Sequence, residues 1–195
     1  MNIYDLPTVL TVGGVEYAIR TDFRAVIDVL KYYADTEYES DEKALICLMI
    51  LYEDFDSIPC ESYNEALERA VEFIDYGKSD HGSAKVSEPA FMDWEQDAPL
   101  IISAVNAVAK TDIRSLPYLH WWSFLSWYFE IPHDCLYSTV LCVRQAKRKG
   151  KLESWQKEFY KANRDIVDLK KRKSAEETAA AEEWKAAVNT LFGKK

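Results

Sequence analysis

The chain has 195 residues, of which 48% are hydrophobic and 13% aromatic, and it carries a formal net charge of −9. This apolar content is enough for a folded core and excludes a chain that is disordered throughout. The longest apolar run, residues 44–52, is far shorter than a transmembrane helix, and the first residues show no signal-peptide pattern. We therefore expect a cytoplasmic protein that does not cross a membrane.

The charge changes sign along the chain. Residues 1–142 contain nine Lys or Arg and twenty-five Asp or Glu, whereas residues 143–173 contain twelve and four. An acidic body followed by a basic segment favours self-association or an oppositely charged protein partner. The basic segment could instead contact nucleic acid, but the acidic body would repel a phosphate backbone, so we do not expect that partner. A solvated helix face is the alternative to both.

The N-terminal part, residues 1–77, predicts a β-hairpin followed by three helices. Two β-rich runs flank Gly13-Gly14, and two residues that accept positive φ between such runs are a strong hairpin signal. The hairpin would either cover the helical core or offer an edge to a partner. The helices are predicted from an Asp22 or Thr21 cap to about Tyr33, from a Ser40 cap to Tyr52, and from Ser62 to Tyr76, with the second as the central helix of this part.

Residues 78–92 have the composition of a linker, and residues 93–149 form an aromatic-rich helical part. Its first helix is predicted to open at Asp93, with Pro99 marking a kink or a later start. A second helix over 116–130 is apolar around most of its circumference, so it must be covered on several sides by this chain or by a partner. Ser115 is its predicted cap. We assign Trp121, Trp122, Phe124, Leu125 and His120 to the structural core.

The residues that could carry chemistry do not converge into a site. His120 and Ser123 lie three residues apart, but no carboxylate is identifiable to complete a hydrolytic triad. His133-Asp134-Cys135 has no second cluster of ligands that would complete a zinc site. The chain also lacks a glycine-rich phosphate loop and a nucleophile elbow. We therefore expect neither catalysis nor a cofactor.

Beyond Gly150 the chain becomes a highly charged helical arm over residues 150–195. Apolar residues recur with a period near 3.5, which predicts a helix that docks along another helix, either in a partner or in this chain's own body. The predicted partner-binding residues are Leu152, Trp155, Phe159, Ile166 and Leu169. A second stripe follows at Trp184, Val188 and Leu191. The predicted fold class is mainly α: a helical domain with a small N-terminal β-hairpin and a long C-terminal helical arm.

One order of residues in this chain resembles a known family. It comprises Asp97, Leu100-Ile101-Ile102, Asp112-Ile113 and Leu119-His120-Trp121-Trp122-Ser123-Phe124, with Val143-Arg144 after the next helix. The Leu-His-Trp-Trp-x-Phe stretch is the most specific part. The pattern is similar to the tailed-phage (siphophage) proteins often called "gene product fifteen", and the resemblance covers roughly residues 5–150. Pro99 departs from the pattern, and the tail beyond Lys173 is not part of it.

That resemblance implies a function that the residues alone do not. Members of the family are encoded between the tail tube and tape measure proteins and are regarded as tail-assembly chaperones or their extensions. It implies a non-enzymatic phage tail assembly chaperone-like protein in the host cell cytoplasm, binding the tape measure protein or another tail subunit, with self-association left open. A structural component of the virion tail or neck is the alternative, and an enzyme of unknown class is a distant one.

Overall fold

A computed structural model of the chain describes residues 4–35, 37–77 and 91–170. These residues form a mainly α structure with one two-stranded antiparallel hairpin, which confirms the predicted fold class. Most of the predicted linker and the predicted stripe at Trp184, Val188 and Leu191 lie outside the described residues. The elements are β1 Val9–Val12, β2 Val15–Ala18, α1 Phe23–Ala34, α2 Ser40–Leu51, α3 Tyr63–Ile74, α4 Ala98–Ala109, α5 Trp121–Phe129, α6 Leu136–Arg148, α7 Ser154–Ala162 and α8 Arg164–Val167.

The hairpin covers one side of the helical core. Gly13 and Gly14 have φ angles of +58° and +80°, as a two-residue turn with positive φ at both positions requires. Leu10 and Val12 point inward and are buried, in keeping with the period of two in a strand. The Gly13 amide also donates a hydrogen bond to the Glu65 carboxylate on α3 at 3.0 Å. These contacts fix β1 and its turn against α3.

The second helix differs from its prediction in its start. Its cap is Glu39 rather than Ser40, and the Glu39 and Glu42 side chains close a capping box. It packs against both α1 and α3, as expected of the central helix of this part, but Leu45 and Met49 are exposed on one side. A run that is apolar at every position has no period from which its buried face can be read.

The aromatic helix α5 begins at Trp121 and not near Ser115 as predicted. The Trp121 amide donates to the carbonyl of Thr21 at 2.7 Å, and the Leu119 amide donates to the Asp22 carboxylate at 3.0 Å. The Leu119 and Trp121 amides therefore have partners 97 or more residues away in the sequence, and the residues before Trp121 lie outside the helix. The local sequence pattern carries no signal for these distant contacts.

Helix α4 takes the later of its two predicted starts. It begins at Ala98, with Asp97 as N-cap and Pro99 in the first turn, where a missing amide hydrogen costs no helical bond. The residues from Asp93 to Asp97 form a turn instead. This turn carries Trp94 towards α5, where its ring lies 6.2 Å from that of Trp121.

The helices before and after residues 78–90 build one core. The indole nitrogens of Trp121 and Trp122 donate to the carbonyls of Ile74 and Phe73, each at 2.9 Å. These carbonyls lie in the last turn of α3, where no amide of the same helix can reach them. All five residues assigned to the core from sequence are buried: Trp121, Trp122, Phe124, Leu125 and His120. One apolar cluster includes residues from β1 to Tyr137.

Candidate functional site

The described part of the basic arm is two short helices instead of the one long helix predicted. Helix α7 ends at Ala162 and α8 begins at Arg164. Between them Asn163 has φ −132° and ψ 37°, and its side-chain amide donates to the Phe159 carbonyl at 2.9 Å. Asparagine often makes such local bonds in place of helical ones. A seam of period 3.5 therefore does not continue along one helix face.

Most of the predicted partner-binding residues contact this chain itself. Leu152, Phe159 and Ile166 pack around a small apolar cluster of Val140, Val143 and Val167, and Leu169 is also half-buried. This is the arrangement that the sequence left as the alternative to a partner. Trp155 differs from the other four because its side chain is 48% exposed, with the indole nitrogen donating to Glu153 at 2.8 Å.

A buried ion pair joins the arm to the body. The Arg144 guanidinium donates to both oxygens of Asp97, at 2.6 and 2.8 Å, and the two side chains are only 8% and 2% exposed. The Asp97 carboxylate also accepts the amide of Asp93 at 2.9 Å. A bidentate pair in this environment has a fixed geometry as well as a strong attraction.

The other N–H groups of Arg144 are all occupied by backbone carbonyls. Its acceptors are Val167 at 2.6 Å, Ile166 at 2.7 Å and Phe91 at 3.0 Å. Each of the five guanidinium N–H groups thus has a partner. Arg144 therefore connects α6, the 91–97 segment and α8, which no inspection of neighbouring residues in the sequence would reveal.

Polar contacts at the end of the described arm add to this attachment. Lys147 donates to the Asp168 carboxylate and to the Tyr160 hydroxyl, the latter at 2.7 Å. The bond to Asp168 raises the pKa of Lys147, and the ammonium in turn lowers the pKa of Asp168. Gln96 and the Lys170 backbone exchange two hydrogen bonds of 2.8 and 3.0 Å. Part of the basic charge of the arm is thus satisfied within the molecule.

An open apolar groove of about 460 Å³ lies beside α5. Helix α5 contributes Trp121, Leu125, Tyr128 and Phe129, which share one helix face at spacings of four, seven and eight residues. Phe129 is 60% exposed. We call this surface the aromatic groove; its lining is Leu30, Ile74, Asp75, Tyr76, Met92, Trp94, Trp121, Leu125, Tyr128 and Phe129.

The sequence contained a signal for the aromatic groove but did not locate it. A helix that is apolar around most of its circumference needs cover on several sides, and the part of the chain that the structure describes leaves Phe129 of α5 exposed. The other walls come from Leu30 on α1, the end of α3, and Met92 and Trp94 beyond residue 90. Their convergence depends on the tertiary fold.

His120 has a structural arrangement. Its Nδ1 accepts the Trp122 amide at 3.0 Å and caps α5, so its Nε2–H donates to the Pro7 carbonyl at 3.0 Å. Burial lowers the pKa of His120, which favours this neutral form. With both ring nitrogens bonded to the backbone, the side chain has no free nitrogen for a substrate proton.

The described ranges contain no group of three or more His, Cys, Asp or Glu residues that could hold a metal ion. None of the helices within residues 4–77 and 91–170 is long and apolar enough to span a membrane.

Comparison with known proteins identifies the family. The family described as "Bacteriophage Gp15 protein" matches residues 3–169. No curated protein and no solved structure matches the chain. The match begins before the hairpin and ends within the last residues of the described arm, so it covers α1 to α8 as well as the Trp121-Trp122 pair. Because it covers far more than half of the chain, this protein belongs to the bacteriophage Gp15 protein family.

Proposed function

We propose that this phage protein is a non-enzymatic tail-assembly chaperone-like factor that acts in the host cell cytoplasm. Its partner would be a helical tail protein, with the tape measure protein as the first candidate because of the family resemblance. The observation that carries the proposal is the aromatic groove.

The aromatic groove has the properties of a surface that binds another protein reversibly. Its wall from α5 is built of aromatic and aliphatic side chains, the residue types that carry most of the energy of protein interfaces. Phe129 projects from it with edge-on contacts to Tyr76 and Tyr128, at 6.1 and 6.0 Å between ring centres. Burial of this apolar surface by a partner would be favourable.

The predicted site on the arm remains a second surface for the same function. Trp155 is the one residue of the predicted seam that is exposed, and it lies on a basic part of the chain. An exposed tryptophan is a good anchor for a partner. The remainder of the seam contacts α6 and α8, which leaves Trp155 without a wide apolar surround.

A structural component of the virion tail or neck is the second candidate function. The observation that favours it is a separate group of exposed apolar residues at and before the hairpin, namely Leu6, Val9 and Val15. A permanent assembly would bury such residues, since obligate interfaces are larger and more apolar than transient ones. In that case the protein would be retained in mature particles.

A capture experiment in phage-infected cells tests the proposal. Tagged wild-type protein should retain the tape measure protein, and Phe129→Ser should reduce its recovery at least tenfold. Leu136→Ser is the matched control, because Leu136 is 49% exposed and lies outside the aromatic groove. If Trp155→Ser reduces recovery of the tape measure protein and Phe129→Ser does not, the binding site lies on the arm.

Mass spectrometry of purified virions distinguishes the two candidate functions. An assembly factor should be absent from them, whereas a structural component should be present in a fixed copy number. Recovery of no tail protein by any variant, together with presence in virions, would replace the chaperone proposal by the structural one.

A further inference from the structure

The segments that form the aromatic groove carry mainly negative charge. They are residues 28–35, 72–76, 91–97 and 121–130, which together contain eight Asp or Glu and one Lys. Of the eight, Asp97 is buried in its ion pair with Arg144, Glu72 pairs with Arg69, and Asp28 pairs with Lys31. One of the acidic residues, Asp75, lines the groove itself. A second concave surface of about 450 Å³ is lined by Asp28, Lys31, Asp35 and Glu95, the last of which follows Trp94 of the groove. The apolar groove thus lies in an acidic surround.

From this geometry we infer that the aromatic groove binds an amphipathic α-helix whose large apolar side chains are flanked by lysine or arginine. The inference rests on the proposed use of the groove for partner binding and states the chemical class of that partner. Acidic surfaces select basic partners by steering their approach and by disfavouring acidic ones.

The shape of the groove favours a helix over an extended peptide. Four of its lining residues come from α5, of which Trp121 and Leu125 are buried and Phe129 is exposed, and helices pack against such faces by placing side chains between those of the neighbour. A peptide that binds as an added strand would need a strand edge, and none of the residues that line the groove belongs to β1 or β2. A helix satisfies its own backbone.

The length of α5 sets the length of the contact. A helix of nine residues is about 12 Å long at 1.5 Å per residue, so it matches about two turns of a partner. We therefore expect three anchors at positions i, i+4 and i+7 of the partner helix. Basic residues should lie beside this stripe, where they face the acidic surround.

No residue of the described arm lines the groove, so the arm does not occupy it within residues 150–170. A second copy of the chain is a different occupant, because its basic surface around Trp155 carries the same combination of charge and apolar side chain. The oligomeric state of the protein decides between these occupants.

Three synthetic peptides of 21 residues provide the probes. One has a Leu/Trp stripe at i, i+4 and i+7 spacing with lysine on its polar face, one has the same stripe with glutamate, and one has the lysines with a scrambled stripe. Calorimetric titration into the full-length protein should show binding of the first peptide at least tenfold tighter than of either of the others. The difference between lysine and glutamate peptides should shrink as salt is raised from 50 to 500 mM, because surface charges are screened.

Variants of the protein test whether the lysine peptide binds in the aromatic groove. Phe129→Ser should weaken binding of the lysine peptide at least tenfold, and Leu136→Ser should leave it unchanged. Glu130→Lys, at the end of α5, should weaken it several-fold without a loss of stability, since a cation at a helix C-terminus is favourable. Equal binding of the stripe and scrambled peptides, equal binding of lysine and glutamate peptides, or binding indifferent to Phe129→Ser would overturn the inference.

The remaining outcomes separate this inference from the proposed function. Concentration-dependent oligomers that dissociate in the Phe129→Ser variant would identify a second copy as the occupant and overturn a foreign basic helix. If capture of a tail protein depends on Phe129 but the protein shows no preference among the three peptides, the proposed function is retained and the basic helix is rejected. A clear peptide preference with the protein found in virions would retain the basic helix and reject the chaperone.

Discussion

Arg144 and Arg114 make the same bidentate contact with an aspartate, but in different surroundings. Arg144 and Asp97 are almost fully buried, whereas Arg114 and Asp112 are largely exposed. An exposed pair is screened by water and salt and contributes little to stability. A buried pair that loses one partner leaves a charge or several donors without compensation, which is costly. The chain thus offers an internal comparison of the two situations.

Arg144→Lys should lower the free energy of unfolding by about 3 kcal/mol. Lysine keeps the charge but has three donors in place of five, and it cannot reproduce the planar bidentate contact with Asp97 together with the bonds to Val167, Ile166 and Phe91. Urea denaturation followed by circular dichroism measures the difference. Arg114→Lys is the control and should leave the unfolding midpoint unchanged. Equal midpoints for both variants and wild type would contradict this account of the buried pair.

The secondary-structure elements were predictable where local signals decide them. The Gly13-Gly14 turn between two β-rich runs predicts the hairpin, and the observed structure confirms it. The starts of α5 and the break at Asn163 were not predictable in the same way. The first depends on bonds from Trp121 and Leu119 to residues 21–22, and the second on a side-chain bond from Asn163 to the Phe159 carbonyl that the period of the apolar residues does not show.

The candidate site was only partly predictable for a related reason. The face of α5 with Trp121, Leu125 and Tyr128 can be read from helical spacing. Leu30 and Met92, which complete the aromatic groove, are distant in sequence and not marked by any motif. Likewise, Asp97 and Arg144 both belong to the pattern that resembles the family, but their contact across 47 positions appears only in the structure.

The cap of α5 gives a pH-dependent prediction at the level of this element. Because burial lowers the pKa of His120 in the folded state, the unfolded chain, with a pKa near 6.5, binds the proton more readily. The stability that depends on neutral His120 is therefore complete above pH 6.5 and decreases as the pH falls below it. The decrease is at most about 1.4 kcal/mol per pH unit for one proton.

His120→Asn should remove this part of the pH dependence. Asparagine is a good N-cap and can accept the Trp122 amide, but it does not titrate. The free energy of unfolding, measured in urea at intervals from pH 7.5 to 5.5, should fall less steeply in the variant than in wild type. Parallel pH profiles for the two proteins would show that His120 does not contribute.

At the scale of the whole molecule, the arm as far as Lys170 is part of the folded body. Val167 completes an apolar cluster with Val140 and Val143 of α6, and the carbonyls of Ile166 and Val167 accept two N–H groups of Arg144. The family match also extends to residue 169 and so includes α7 and α8. The acidic body and the basic arm therefore meet within one molecule.

A chain ended after Gly150 should be less stable than a chain ended after Lys173. The shorter chain exposes the cluster around Val140 and Val143 and removes two acceptors of Arg144, so its free energy of unfolding should fall by on the order of 3 kcal/mol. The longer chain keeps every contact of α7 and α8 within the described residues and should unfold at the same urea concentration as the complete protein. Both should be compared by denaturation with circular dichroism and by sedimentation, because exposed apolar surface on α6 also promotes aggregation. Identical midpoints for the two truncated chains would mean that α7 and α8 pack on the body without stabilising it, and the arm would then be free to leave α6 and bind a partner through Leu152, Phe159 and Ile166 as well as Trp155.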